Sequence, residues 1–421
     1  MSLIRQFLLI SLLATFISPA FATNGYIGHG YGIKSRGMAG TGVALPQEAM
    51  IAATNPAGIA FTGNRFDVSA ALFSPRRSYE VTGNSAQPPF AGKVESDRNY
   101  FVLPEMAATW QLDEHKAFGI ALYGHGGMNT DYSSSDSGGG TYGAGTTGVD
   151  LAQLFLSPTF AYRFENDAAI GVSAILAYQR FEARGVASFA GLSNSPQDLS
   201  DNGHDNSYGA GINLGFILPV GDQITLGGGY HSRIYMTEFD DYKGLFAEQG
   251  DMDIPSMATI GLAWATTEKL TLLLDLQKSW YSHIDTVGRP MMPAMQQCMA
   301  GNTASCLGAD KGIGFGWDDM TTVKFGLQYQ AKNNWTWRAG YSHGNQPIPG
   351  TEVYFNILAP GVMEEHFTVG FTKKFDQGRQ EVNFAAMYAP ENSIKGTISS
   401  GQTVELAMKQ YQLELGWSLL Y

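Results

Sequence analysis

The chain is short of charge, of cysteine and of long apolar runs, and each shortage excludes something. Only 15% of its 421 residues are charged, against about 25% in an ordinary soluble domain. Basic residues are the scarcer kind: 26 Lys and Arg face 38 Asp and Glu, a net charge of −12. That balance excludes the basic footprint of a nucleic-acid partner. Two cysteines exclude a disulfide scaffold and a multi-cysteine metal centre. A mean hydropathy of −0.11 excludes a bundle of apolar membrane helices. The sequence contains no His-Glu-x-x-His, no Gly-x-Ser-x-Gly and no phosphate loop, so no catalytic residue, metal ligand or cofactor is expected.

What is present is glycine, 51 residues, and 12% aromatics. Residues 1–22 read as a secretory signal peptide: Arg5, an apolar stretch from Phe7 to Ile17, then Ala20-Phe21-Ala22 as the cleavage site. The run is too short for a transmembrane helix and Pro19 breaks it. From Arg65 to Tyr421 the chain alternates apolar with small or polar residues, the period of a strand. Val323, Phe325, Leu327 and Tyr329 show it, as do Leu270 to Leu276 and Tyr411 to Tyr421.

Short turns at 113–116, 165–168, 220–223, 266–268, 332–334 and 376–379 alternate with loops near 82–97, 129–148, 187–206, 241–252, 284–316, 346–361 and 393–402. Short turns on one side and long loops on the other are the outer-membrane pattern. The fold class expected is all-β: a fourteen-stranded antiparallel transmembrane barrel over 65–421. All seven tryptophans fall near strand ends, where an indole meets the membrane boundary. Cys298 and Cys306, eight positions apart in the longest loop, read as a disulfide in an oxidising compartment.

Residues 23–64 do not alternate. They are rich in Gly and Ala, contain apolar residues that need burial, and read as an N-terminal hatch in the lumen rather than a loose tail. The run Gly30-Tyr31-Gly32-Ile33-Lys34-Ser35-Arg36-Gly37-Met38-Ala39-Gly40, followed by Asn55-Pro56-Ala57-Gly58, resembles the hatch of FadL-type long-chain fatty acid transporters and TodX-type hydrocarbon channels. Pro104-Glu105-Met106, Ile254-Pro255-Ser256-Met257 and Asn334 to Tyr341 extend the resemblance over the mature chain.

The resemblance implies passive uptake of hydrophobic small molecules, long-chain fatty acids foremost, by a monomer in the outer membrane of a Gram-negative bacterium. Its other contacts would be membrane lipid and lipopolysaccharide. Aromatic or aliphatic hydrocarbons are the alternative cargo, and a lipase-type barrel enzyme is the less favoured class. It further implies that Asn55, Pro56, Ala57 and Gly58 form the gate, beside an opening made by a kinked third strand at Gly124, His125, Gly126 and Gly127. Those glycines read equally as close packing at a barrel corner. Arg180 and Arg184 are the candidate contacts for a carboxylate, although Arg180 shares the parity of outward Val172, Leu176 and Tyr178. Asp318-Asp319 stands where a second basic contact is expected. Phe189, Leu192, Leu199, Phe239, Leu245 and Phe246 are either an outer groove or a local core.

Overall fold

The computed structural model describes residues 23–421 except Ser85, so the signal-peptide reading of 1–22 lies outside the described residues. Fourteen long strands form one antiparallel sheet closed on itself. They are β1 (Arg65–Thr82), β2 (Phe101–Gln111), β3 (Lys116–Asn129), β4 (Gly148–Arg163), β5 (Ala169–Arg184), β6 (Asp205–Val220) and β7 (Ile224–His231). There follow β8 (Met257–Ala265), β9 (Leu270–Ser279), β10 (Met320–Gln330), β11 (Trp335–Gly344), β12 (Glu365–Phe375), β13 (Gln380–Thr397) and β14 (Thr403–Leu420). Closure leaves no free edge for lipid to meet, which is why a sheet can span a membrane only as a barrel.

The alternation read from the sequence decides what each side chain faces. On β14, Leu413 and Leu415 are 55% and 65% exposed, while Gln412 and Glu414 between them are buried. Trp110, Trp264, Trp337 and Trp417 lie outward near strand ends. Trp317 departs from this pattern: its loop folds back into the barrel, and the indole is buried and donates to Asn356 Oδ1. The expected loop at 393–402 also shrinks, because β13 continues to Thr397 and leaves residues 398–402 as the turn. Phe189, Leu199, Phe239, Leu245 and Phe246 are buried in one cluster beneath the loops, with Leu192 packed against it. They are a core, not a groove.

Residues 23–64 thread the interior. A one-turn helix (Ile33–Arg36) and two 3₁₀ turns (Ala49–Ala53 and Pro56–Phe61) are almost wholly buried. The tighter turns suit a stretch interrupted by Pro56. The wall receives this backbone through inward glycines. A Cβ on Gly340 would meet Met38 C at 2.2 Å, and one on Gly227 would meet Val43 O at 2.5 Å. Part of the glycine excess therefore has a packing cause: side chains there would push the segment off the wall.

Candidate functional site

The seam between β2 and β3 stops short. The two strands pair only from Gln111↔Ala117 to Met106↔Leu122. Beyond Leu122, β3 turns from β2, and its register with β4 shifts between Gly124 and Gly127. Such a bulge bends a strand and re-aims its side chains. The N-terminal segment supplies the missing partner: Gly127 N donates to Tyr26 O (3.0 Å), and Ile27 bridges Gly126. Phe101 to Glu105 of β2 still pair with β1 but have no β3 partner.

Behind this opening lies a small cavity of about 30 Å3. Phe73, Met128, Trp317 and Met408 give it apolar sides, and Thr23, Arg77, Asn129 and Thr130 are its polar lining. A space of this size admits about one water molecule. Tyr26, Tyr281 and Trp317 back it as a ring cluster, with centroids 5.2 to 5.9 Å apart. Burial pushes the Tyr281 phenol up, which keeps it the donor to Asn24 O.

Arg77 is the unexpected member. It is buried, lies 5.7 Å from the Phe101 ring centroid, and donates to the Arg98 carbonyl. Among the described residues no carboxylate pairs with it, and its Nε is unpartnered. A buried guanidinium left short of partners is costly, and an anion beside the cavity would complete it. The sequence carried the signal, since Arg77 shares the inward parity of Ala71 and Phe73.

The structure places the other expected residues as follows. Arg180 and Arg184 point outward near the loop end of β5 and join an ion network: Arg180 Nη2 lies 3.7 Å from Asp150, and Arg184 Nη2 lies 3.0 Å from Asp131. Asp150, Glu182 and His204 come together there, with Arg98 also 3.7 Å from Asp150. The lumen therefore does not receive Arg180 or Arg184, because strand parity turns them away. Asp319 pairs with Lys278 at 3.5 Å. Cys298 and Cys306 form a disulfide.

His125 lies inside the kink, its Nδ1 2.8 Å from Tyr31 Oη and its ring stacked on Phe155. Asn55, Pro56 and Ala57 lean on a different wall from the one expected. Inward glycines of β5 and β6 make room for them: a Cβ on Gly171 would meet Ala57 N at 2.4 Å, and one on Gly215 would meet Asn55 Oδ1 at 2.1 Å. Asn55 Nδ2 donates to Val43 O (2.7 Å) and Phe216 O (2.8 Å), and Gly58 packs on Ile51. The part of the segment at the kink is Tyr26, Ile27 and Tyr31.

Buried charges fasten the segment to the wall. Lys34 Nζ reaches Glu381 on β13 (2.5 Å), while Arg36 bridges Glu105 on β2 and Glu414 on β14. Asp275 accepts from Gly42 N (2.9 Å) and Val43 N (3.1 Å), and Lys324 donates to His29 O (2.8 Å). At the short-turn end a polar vestibule of about 460 Å3 is lined by Lys34, Arg65, Arg338, Lys374 and Glu381 among others.

A profile of the outer membrane protein transport family (OMPP1/FadL/TodX) matches residues 14–415. The long-chain fatty acid transport protein of Escherichia coli K12 is 23% identical, covering 90% of this chain and 89% of that protein. Its Shigella flexneri counterpart is 24% identical over the same shares. Among solved structures, a Pseudomonas aeruginosa FadL homologue aligns with a TM-score of 0.69 at 14% identity, over 94% of this chain and 99% of that one. The Pseudomonas putida toluene transporter TodX aligns at 0.67 with 18% identity, over 95% and 100%.

Proposed function

The chain belongs to the outer membrane protein transport family (OMPP1/FadL/TodX), and from that premise we propose that it carries long-chain fatty acids passively across the outer membrane. The observation that carries this reading is the coincidence of an interrupted β2–β3 seam with a cavity containing a partner-poor Arg77. The acyl chain would rest among Phe73, Met128, Trp317 and Met408, with its carboxylate on Arg77 as a charge-assisted hydrogen bond. Residues 23–64 act as the hatch, and movement of Tyr26 and Ile27 away from Gly126 and Gly127 opens the route into the bilayer. Asn55-Pro56-Ala57 anchors the far side of the hatch on β5 and β6. The chain works as a monomer that binds and releases its cargo without altering it.

Uncharged hydrocarbons form a second class of cargo, favoured by the Tyr26, Tyr281 and Trp317 rings. Uptake of labelled oleate and of toluene, in cells with and without the gene, separates the two. With Arg77→Leu, the oleate concentration giving half-maximal uptake rises about tenfold, the loss of one good ionic contact, while toluene uptake stays unchanged. Unaltered oleate uptake in that variant would remove Arg77 from the site; oleate uptake independent of the gene would remove the fatty-acid reading.

A further inference from the structure

The outward face of the β14–β1 seam carries two like charges that the barrel itself leaves unbalanced. Lys409 and Arg76 are direct cross-strand partners, and both continue the outward parity of Leu413 and Leu72. Like charges directly opposite one another destabilise a strand pair. The row nearer the loops shows how such a clash is cancelled. Glu80 there faces Glu405, but Lys93 stands opposite Glu80 on the other side, and Lys395 Nζ lies 3.0 Å from Glu405.

The Arg76–Lys409 row has no comparable compensation. Among the described residues Arg76 meets no carboxylate: its guanidinium sits 4.8 Å from the Tyr100 ring centroid and donates to that hydroxyl. Lys409 Nζ lies 3.7 Å from Glu391, with both side chains well exposed, a contact worth little. A groove of about 340 Å3 opens at this point, its lining including Arg76, Lys93 and Lys409 with Glu95, Glu391 and Tyr411, and Arg77 at its inner side. Its depth in the membrane follows from the ladder below it. Tyr411, Leu413, Leu415 and Trp417 on β14, and Leu72, Ala70 and Val68 on β1, form the outward apolar band. The cation pair is the first charged row above that band, on the long-loop side, where lipid headgroups lie.

We propose that Arg76 and Lys409 together hold a phosphate on the headgroup of an outer-leaflet lipid, the phosphorylated glucosamine of lipid A. One phosphate between two cations turns repulsion into two charge-assisted hydrogen bonds. Tyr100 fixes the Arg76 plane, and the apolar ladder beneath receives the acyl chains. Arg76 and Lys409 face away from the lumen, and only the inward Arg77 lines both this groove and the lumen cavity.

The test measures thermal midpoints of the purified full-length barrel in neutral detergent, titrated with lipid A, with dephosphorylated lipid A and with inorganic phosphate. Lipid A raises the midpoint of the wild type, and the two controls do not. Arg76→Gln and Lys409→Gln each weaken the lipid A response about tenfold, whereas Lys395→Gln, the variant of a rim lysine paired with Glu405, keeps it. In detergent alone Lys409→Gln is no less stable than wild type, because one of two opposed charges is gone; a merely structural lysine would lose stability. An equal response to dephosphorylated lipid A would reduce the site to acyl packing. An equal response to inorganic phosphate would make it a free-anion site, and a full response in both Gln variants would end the proposal.

Discussion

Two seams of the same barrel, only two strands apart, behave differently. β14 and β1 are paired without interruption from Thr403↔Thr82 to Leu420↔Arg65. β2 and β3 share the same alternation but part company at Leu122. The difference is local chemistry: β3 carries Gly124, Gly126 and Gly127 where β14 carries side chains that pack on both faces. Without a Cβ at Gly126, Tyr26 O comes close enough to take over the pairing; an added Cβ would lie 2.6 Å from it. Backbone groups cannot stay unpaired in lipid, so a wall can open only where something inside replaces the missing strand. The replacement here is the N-terminal segment, through Tyr26 and Ile27.

Arg36 ties the two seams together, since its guanidinium bridges Glu105 beside the gap and Glu414 on the sealed side. Arg36→Met would leave two buried carboxylates facing each other, and removing one partner from such a cluster costs about 3–5 kcal/mol. The expected outcome is an N-terminal segment no longer held to the wall: higher ion conductance in planar bilayers and a lower thermal midpoint. A smaller disturbance confined to the open seam is Gly126→Val, whose side chain collides with Tyr26 O and Gln153 Oε1. Overpacking of this kind costs about 1–3 kcal/mol. Proteolysis or hydrogen exchange should show residues 23–28 loosened while β14 and β1 remain as protected as in the wild type.

The strands and the faces they present were legible because lipid on one side and lumen on the other impose period two on every strand. The same parity rule finds Arg77 inside, beside Phe73, and puts Arg180 outside with Val172 and Leu176. Trp317 was not legible, because nothing local says that a long loop re-enters the barrel. The partners of Lys34, Arg36 and Asn55 are remote in sequence. Glu381, Glu414 and the β6 backbone lie 347, 378 and 161 positions away, and a charge on an inward position does not say which residue of the N-terminal segment it meets.

Lateral exit through the β2–β3 seam is tested most directly by blocking it from the membrane side. Val102, on β2 beside the gap, and Val369, on fully paired β12, are both outward and 55% exposed. The native cysteines are joined to each other, so Val102→Cys and Val369→Cys each supply a single free thiol. After complete labelling with a bulky membrane-soluble maleimide, oleate entry into proteoliposomes should fall severalfold for the Val102 position and stay unchanged for the Val369 position. Equal rates for the two labelled proteins would contradict exit through the wall.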